Sequence, residues 1–163
     1  MAIDIKINVT GDKQLIQKLN NISTSLEKPR EPLQNSSKIM MAAIMENFKS
    51  QGSTFQTPWQ GLSKETLRIK KKENYGDKPP LVRTEAMKGG FRSSIEKNTM
   101  TINNPVPYFI KHQSSNITDR TDKTLSGRKM VLPRRVMLRI DRTRLHLVID
   151  AFLDWIVGII KKK

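Results

Sequence analysis

The sequence predicts an α+β domain with a small antiparallel sheet, two N-terminal helices and a long C-terminal helix. Three patterns support this prediction. Apolar residues recur at helical spacing over 15–26 and 33–48, short β-branched segments surround a turn within 94–103, and 145–160 is almost wholly apolar. The 163 residues correspond to a single domain, 1–163, which is long enough to form a hydrophobic core.

The N-terminal part of the chain contains a predicted strand followed by both N-terminal helices. Isoleucines alternate with polar residues over 3–9, which is typical of a short half-buried strand. Asp12 is a good helix N-cap, and the apolar stripe that follows it ends at Leu26. Prolines within 28–32 break this helix, and a second one is predicted over about 32–48. Two stripes joined by so short a break predict an antiparallel helical pair.

The middle of the chain predicts a brief helix, a hairpin and a loop. Ser63 can cap a helix that continues to about Lys72. Short strands are expected over 94–97 and 99–103, because β-branched residues favour the pleated conformation. The segment 114–129 is polar and serine-rich and lacks periodicity, so we expect a flexible loop or arm there.

The predicted C-terminal helix begins near Asp141 and extends to about Ile160, with an unusually wide apolar surface. It is too short and too charged to span a membrane. Two interpretations remain open: the helix packs on its own domain with one side and on a neighbouring subunit with the other, or it is buried in the core. The residues predicted for this packing or interface are Leu145, Ile149, Phe152, Leu153 and Ile156.

The sequence predicts that the protein is not an enzyme and that it has neither a cofactor site nor a metal site. There is no cysteine, which excludes a thiol nucleophile, and no Walker A, GxGxxG, HExxH or GxSxG motif occurs. His146, Asp150 and Asp154 share one helical stripe, but no second cluster completes a metal shell, so we interpret them as a solvated or interfacial stripe. His112 lies near Tyr108 in sequence, yet no nucleophile accompanies the two residues.

The net charge of +15 favours an acidic partner, which is either nucleic acid or an acidic protein surface. The excess is greatest over 101–144, where ten Lys and Arg residues face three Asp and Glu residues. Arg134, Arg135 and Arg139 are the candidates for charged partner contacts. No aromatic residues are interleaved with these cations, and no helix-turn-helix or RNP motif occurs. A basic DNA-binding accessory protein that makes non-specific phosphate contacts is therefore the alternative function.

Four short motifs lie in order between residues 55 and 138. The first motif consists of Phe55, Pro58, Trp59 and Leu62, and Gln56 within it stands where similar motifs usually have a glycine. The second begins at Leu81 and includes Thr84, with Glu85 in place of another glycine. The third comprises Tyr108, His112 and Gln113. The fourth runs over 132–138 and contains Pro133 and Arg135, with Arg139 after it where a glycine is usual. Together they resemble the phage virion morphogenesis, or tail-completion, family of contractile-tailed phages such as Mu.

The resemblance implies a structural virion component that completes the tail or forms part of the head–tail neck. Such proteins act as homo-oligomeric rings, often hexameric, that contact tail tube, sheath or head-connector proteins. The expected location is the tail or neck of the virion, after assembly in the host cytoplasm. There the basic surface would face protein neighbours or make non-specific contact with DNA in the neck, without any membrane. We expect Trp59, Tyr108 and Pro133 to anchor the fold.

Overall fold

The computed structural model of the chain describes residues 12–76, 78–123 and 127–161. In these ranges the helices are α1 (Asp12–Leu26), α2 (Arg30–Lys49), α3 (Lys64–Lys72), α4 (Ala86–Gly89), α5 (Phe109–Gln113), α6 (Ile117–Arg120) and α7 (Arg142–Lys161). The strands are β1 (Arg92–Glu96), β2 (Thr99–Asn103), β3 (Thr121–Lys123) and β4 (Lys129–Val131), and a 3-10 turn spans Ser53–Phe55. The predicted α+β class, with a small antiparallel sheet and long C-terminal helix, is confirmed.

Most predicted elements lie where their patterns placed them. α2 begins at Arg30, slightly before its predicted start at about residue 32, and α7 begins directly after Asp141. The Ser63 hydroxyl caps α3 by accepting a hydrogen bond of 3.2 Å from the Thr66 amide. β1 and β2 pair antiparallel, with Arg92 opposite Asn103. The predicted strand over 3–9 lies outside the described residues.

The described residues within 114–129 include short regular elements, and the flexible loop or arm predicted there stays a prediction. α6 forms there, capped by the Asn116 side chain, which accepts a hydrogen bond from the Thr118 amide. β3 and β4 then pair antiparallel, and Lys111 forms an ion pair of 2.8 Å with Asp122 on β3. These elements are three or four residues long, so they are too short to produce a periodic pattern.

The prediction that α1 and α2 form an antiparallel pair is wrong. α2 instead packs mainly against α7, the β1–β2 hairpin and the 3-10 turn, and these neighbours fill its apolar face. α1 makes its main contact with α7. The apolar stripe of α1 remains largely exposed, and Ile22 is the only one of its large apolar residues that is half-buried.

The hydrophobic core lies around the C-terminal half of α2. Edge-to-face aromatic pairs connect it, with ring centroids 5.1 Å apart for Phe48 and Trp59 and 6.1 Å apart for Phe48 and Phe91. Neither α1 nor α7 contributes a fully buried side chain among the residues described. The core residues are Ala43, Ile44, Phe48, Phe55, Trp59, Met87, Phe91 and Met137.

One buried amide connects the core helix to the chain that precedes α7. The Asn47 side chain donates a hydrogen bond of 2.9 Å to the Val136 carbonyl and accepts one of 3.2 Å from the Phe55 amide. The Trp59 indole donates a second bond of 3.1 Å to the same carbonyl. Without the buried Asn47 side chain, the Phe55 amide would lie unpaired in an apolar environment, and the Val136 carbonyl would keep only its bond from Trp59.

Two residues that stand where the resemblance places glycines have left-handed backbone conformations. Gln56 has φ +55° and follows the 3-10 turn, and Glu85 has φ +58° and precedes α4. An L-residue in this region costs roughly 1–2 kcal/mol, which is why glycine is favoured there. Both turns thus keep the shape of a glycine turn without the glycine.

We expect Asn47→Ala to lower the free energy of unfolding by roughly 2–3 kcal/mol, because it leaves the Phe55 amide unpaired and removes one bond to Val136. Urea unfolding followed by circular dichroism measures the change. Gln34→Ala, at an exposed position of the same helix, is the control and should stay within about 0.5 kcal/mol of the wild type. An equally small effect of Asn47→Ala would contradict this role.

Candidate assembly surfaces

The motifs that carry the resemblance converge in space. Phe55 and Trp59 lie in the core, and Leu81 and Val82 pack against it. The α5 residues His112 and Gln113 lie against the 133–138 segment. This segment runs along the core without a strand partner. Motifs that are up to 80 residues apart in sequence therefore form one structural unit.

Gln113 holds the 133–138 segment in place of a neighbouring strand. Its side-chain oxygen accepts hydrogen bonds of 2.8 Å from the Met137 amide and 3.1 Å from the Leu138 amide. Its amide nitrogen donates one of 2.7 Å to the Leu138 carbonyl. One side chain thus satisfies three backbone groups at the point where Met137 enters the core, which fixes the path of the chain into α7.

Arg135 belongs to the same unit, and its predicted role as a charged partner contact is corrected. The residue is 4% exposed, and its guanidinium donates a hydrogen bond of 3.0 Å to the Gln60 carbonyl. Its backbone amide donates one of 2.8 Å to the His112 carbonyl. Burial lowers the pKa of Arg135 from its usual value. The arginine therefore joins the first, third and fourth motifs inside the domain.

His112 is buried beside this arginine. Its Nδ1 lies 3.3 Å from the Pro133 carbonyl, which can only accept a hydrogen bond, and 3.5 Å from the Arg135 guanidinium, which can only donate one. Burial is the main cause that lowers the pKa of His112, and the charges of Arg135 and Lys111 lower it further. The Pro133 carbonyl opposes the shift by favouring the protonated form.

The predicted fold anchors differ in their placement. Trp59 lies in the core and donates to Val136, and Pro133 is half-buried and offers its carbonyl to His112. Tyr108 is 40% exposed, and the next ring, Phe109, makes the aromatic contact with the core instead. Tyr108 is thus exposed, whereas His112 is buried.

The structure divides the predicted interface residues of α7 into two groups. Phe152 and Ile156 are half-buried, whereas Leu145, Ile149 and Leu153 are 42–53% exposed. The alternative of a buried core helix is wrong, because none of the described α7 side chains is fully buried. Val157, one turn further along, is also exposed, and we call the four residues Leu145, Ile149, Leu153 and Val157 the α7 stripe.

Polar residues border the α7 stripe on one side. At about 100° per residue, the stripe covers about 120° of the helix surface, and His146, Asp150 and Asp154 follow on one flank. All three are exposed, and neither aspartate forms an ion pair with any described residue. Within the described residues, no group of three acidic, histidine or cysteine side chains is placed to hold a metal ion.

α1 exposes a second apolar surface, which we call the α1 stripe, formed by Leu15, Ile16, Leu19 and Leu26. Leu15, Ile16 and Leu19 are 55–59% exposed. An open groove of about 790 Å³ lies between α1, the start of α2 and the end of α7, with Ile22 and Trp155 among its lining residues. Covering each half-exposed leucine or isoleucine would contribute about 1 kcal/mol, so neither stripe alone offsets an association cost of roughly 4–15 kcal/mol. A stable contact therefore needs two apolar stripes packed against each other.

The basic residues do not form one continuous cluster. Arg134, Arg139 and Arg142 are exposed. Arg144 instead pairs with Asp141 at 2.8 Å and lies over the Phe55 ring, where it fixes the start of α7.

Lys70 is buried, although it belongs to a run of three lysines. Its ammonium group donates to the Lys78 carbonyl, and burial lowers its pKa, with smaller contributions from Arg83 and Lys78. It therefore supports the loop after α3 instead of offering a charge to a phosphate. Lys71 and Lys72 remain exposed.

Comparison of the chain with protein-family models, curated proteins and solved structures finds no match. None of the helices within 12–76, 78–123 and 127–161 is both long and apolar enough to cross a membrane.

We expect the stability of the domain to fall with pH below about 6.5, the unfolded-state pKa of histidine, because burial lowers the pKa of His112 in the folded domain. As the pH falls, the histidine of the unfolded chain binds a proton at a higher pH than His112 of the folded domain does. The contribution of His112 to stability is therefore fully present above about 6.5. It is lost as the pH falls toward the lowered pKa of the folded state.

Urea unfolding at several pH values between 5 and 8 measures this effect. The difference in unfolding free energy between wild type and His112→Gln should narrow as the pH falls through this range. His146→Gln, at an exposed position of α7, is the control. A difference for His112→Gln that stays constant with pH would contradict the assignment.

Proposed function

We propose that this chain is a non-catalytic structural subunit of a phage virion, which completes the tail or forms part of the head–tail neck as a homo-oligomeric ring. The observation that carries the assembly part is the α7 stripe. It contributes no side chain to the hydrophobic core, and it exposes four large apolar side chains along about three turns of helix. Such a surface is expected where a subunit meets a neighbour.

Two observations support the tail-completion part. The residues of the resemblance form one unit, in which Gln113 and Arg135 join the third and fourth motifs to the loop that follows Trp59. In addition, Gln56 and Glu85 have positive φ, and they occupy two of the three positions, with Arg139, where glycines are usual in the family. A left-handed backbone at positions where the family has glycine supports the resemblance.

The alternative, a basic DNA-binding accessory protein, is favoured by the net charge and by the exposed Arg134, Arg139 and Arg142. Two of the cationic residues that were available to it, Lys70 and Arg135, are buried in the fold. Duplex binding by the isolated chain, with an affinity that falls steeply with salt, would favour this alternative. Weak binding by the isolated chain favours the assembly subunit, whose basic surface faces protein neighbours or DNA in the neck.

A phage whose copy of this gene carries an early stop codon tests the proposal. We expect filled heads and tails to accumulate separately or with defective tail ends, and infectious titre to fall by several orders of magnitude. The wild-type gene supplied in trans should restore the titre. The variant Ile149→Asp/Leu153→Asp should not, because it places charge on the α7 stripe.

Leu67→Asp is the matched control, because Leu67 on α3 is as exposed as these two residues and lies outside both stripes. It should restore the titre like the wild type. Normal particles and normal titre without the gene would rule out the proposed function. Electron microscopy of the lysates, together with mass spectrometry of purified virions, distinguishes a failure of assembly from a failure of DNA replication or packaging.

A further inference from the structure

The two exposed stripes of this domain have matching dimensions. At about 1.5 Å per residue, the α1 stripe from Leu15 to Leu26 extends over about 17 Å, and the α7 stripe from Leu145 to Val157 over about 18 Å. Each belongs to a helix that adds nothing to the fully buried core. Two apolar helix surfaces of this length can pack along one another over several turns.

The charges that accompany the two stripes are opposite. α1 contains two lysines and one aspartate, its first residue Asp12, and so has a net charge of +1. α7 has two aspartates and no lysine or arginine between Leu145 and Ile160, in a chain whose net charge is +15. The α7 surface is thus an acidic exception on a basic protein, and α1 offers the complementary sign.

The aspartates also disfavour the simplest self-contact of α7. If two copies paired α7 antiparallel about a twofold axis, each flank of the stripe would meet the same flank of the other copy. Asp150 and Asp154 lie on one flank, so the aspartates of both copies would face each other. Like charges in such positions oppose association, whereas a lysine-bearing helix would be attracted.

We propose that the α1 stripe of one copy covers the α7 stripe of the next copy, so that the ring subunits contact one another head to tail. The inference rests on the proposed function and names the two surfaces through which the subunits would assemble. The contact uses a different surface on each side, so every subunit keeps one surface of each kind for its two neighbours. Such heterologous contacts form rings when the rotation closes.

Two surface variants of the full chain test this pairing. Leu15→Ser/Leu19→Ser removes apolar contact from the α1 stripe, and Ile149→Ser/Leu153→Ser does so on the α7 stripe. All four residues are at least 42% exposed, so the isolated domain should keep its fold, as circular dichroism and thermal unfolding verify. Leu67→Ser is the matched control.

We expect each variant alone to self-associate on the order of 50-fold more weakly than wild type and Leu67→Ser in sedimentation velocity experiments. Mixing the two variants should produce a 1:1 complex that grows no further. The α1 variant still has an intact α7 stripe and the α7 variant an intact α1 stripe, so only one productive contact remains. Native mass spectrometry determines the stoichiometry.

Zero-length crosslinking of wild-type chain provides a measurement that does not depend on the variants. In a mixture of unlabelled and ¹⁵N-labelled copies, lysines of α1 should become joined to Asp150 or Asp154 of the other isotopic form. Two results would overturn the α1–α7 pairing and leave the proposed function standing. In one, the wild-type chain assembles but the mixed variants stay monomeric. In the other, the wild-type chain assembles without these crosslinks. A wild-type chain that is monomeric overturns the pairing. Absence of the chain from purified virions overturns the proposed function as well.

Discussion

Side-chain hydrogen bonds to the 133–138 segment are the constraint on which the rest of the fold depends. This segment has no strand beside it, so Asn47, Trp59 and Gln113 bind its backbone groups instead. They hold Met137 in the core and thereby set where α7 begins. Neutral side-chain amides suit this buried position, because each offers a donor and an acceptor without the cost of burying a charge.

With this segment in place, the core is complete without the two terminal helices. Arg144 fixes the start of α7 through its ion pair with Asp141 and its hydrogen bond to the Thr54 carbonyl. One side of α7 then packs on α2, and the other side remains exposed. The domain is therefore organised as a self-sufficient core that presents two helices, and our proposals for assembly follow from this division of roles.

The sequence predicted the elements whose patterns are long enough to recognise, such as α2 and α7 with its Asp141 start. It could not show which stripe is buried, because the exposed α1 has the same spacing of apolar residues as a core helix. Nor could it reveal that Arg135 and Lys70 point inward, since backbone carbonyls that accept their hydrogen bonds leave no mark in the sequence. Nor did the sequence indicate that the side chains of Asn47 and Gln113 bind backbone groups, because a polar residue on a helix usually indicates an exposed position.

The most direct test of an assembly role is an electron cryomicroscopy map of the intact virion at a resolution that identifies the chain. Our account predicts a closed ring of copies where the tail meets the head, with α7 at every boundary between neighbouring subunits. It also predicts that the core around Trp59 lies away from these boundaries. Absence of the chain from the particle, or isolated copies bound along the packaged DNA, would contradict it.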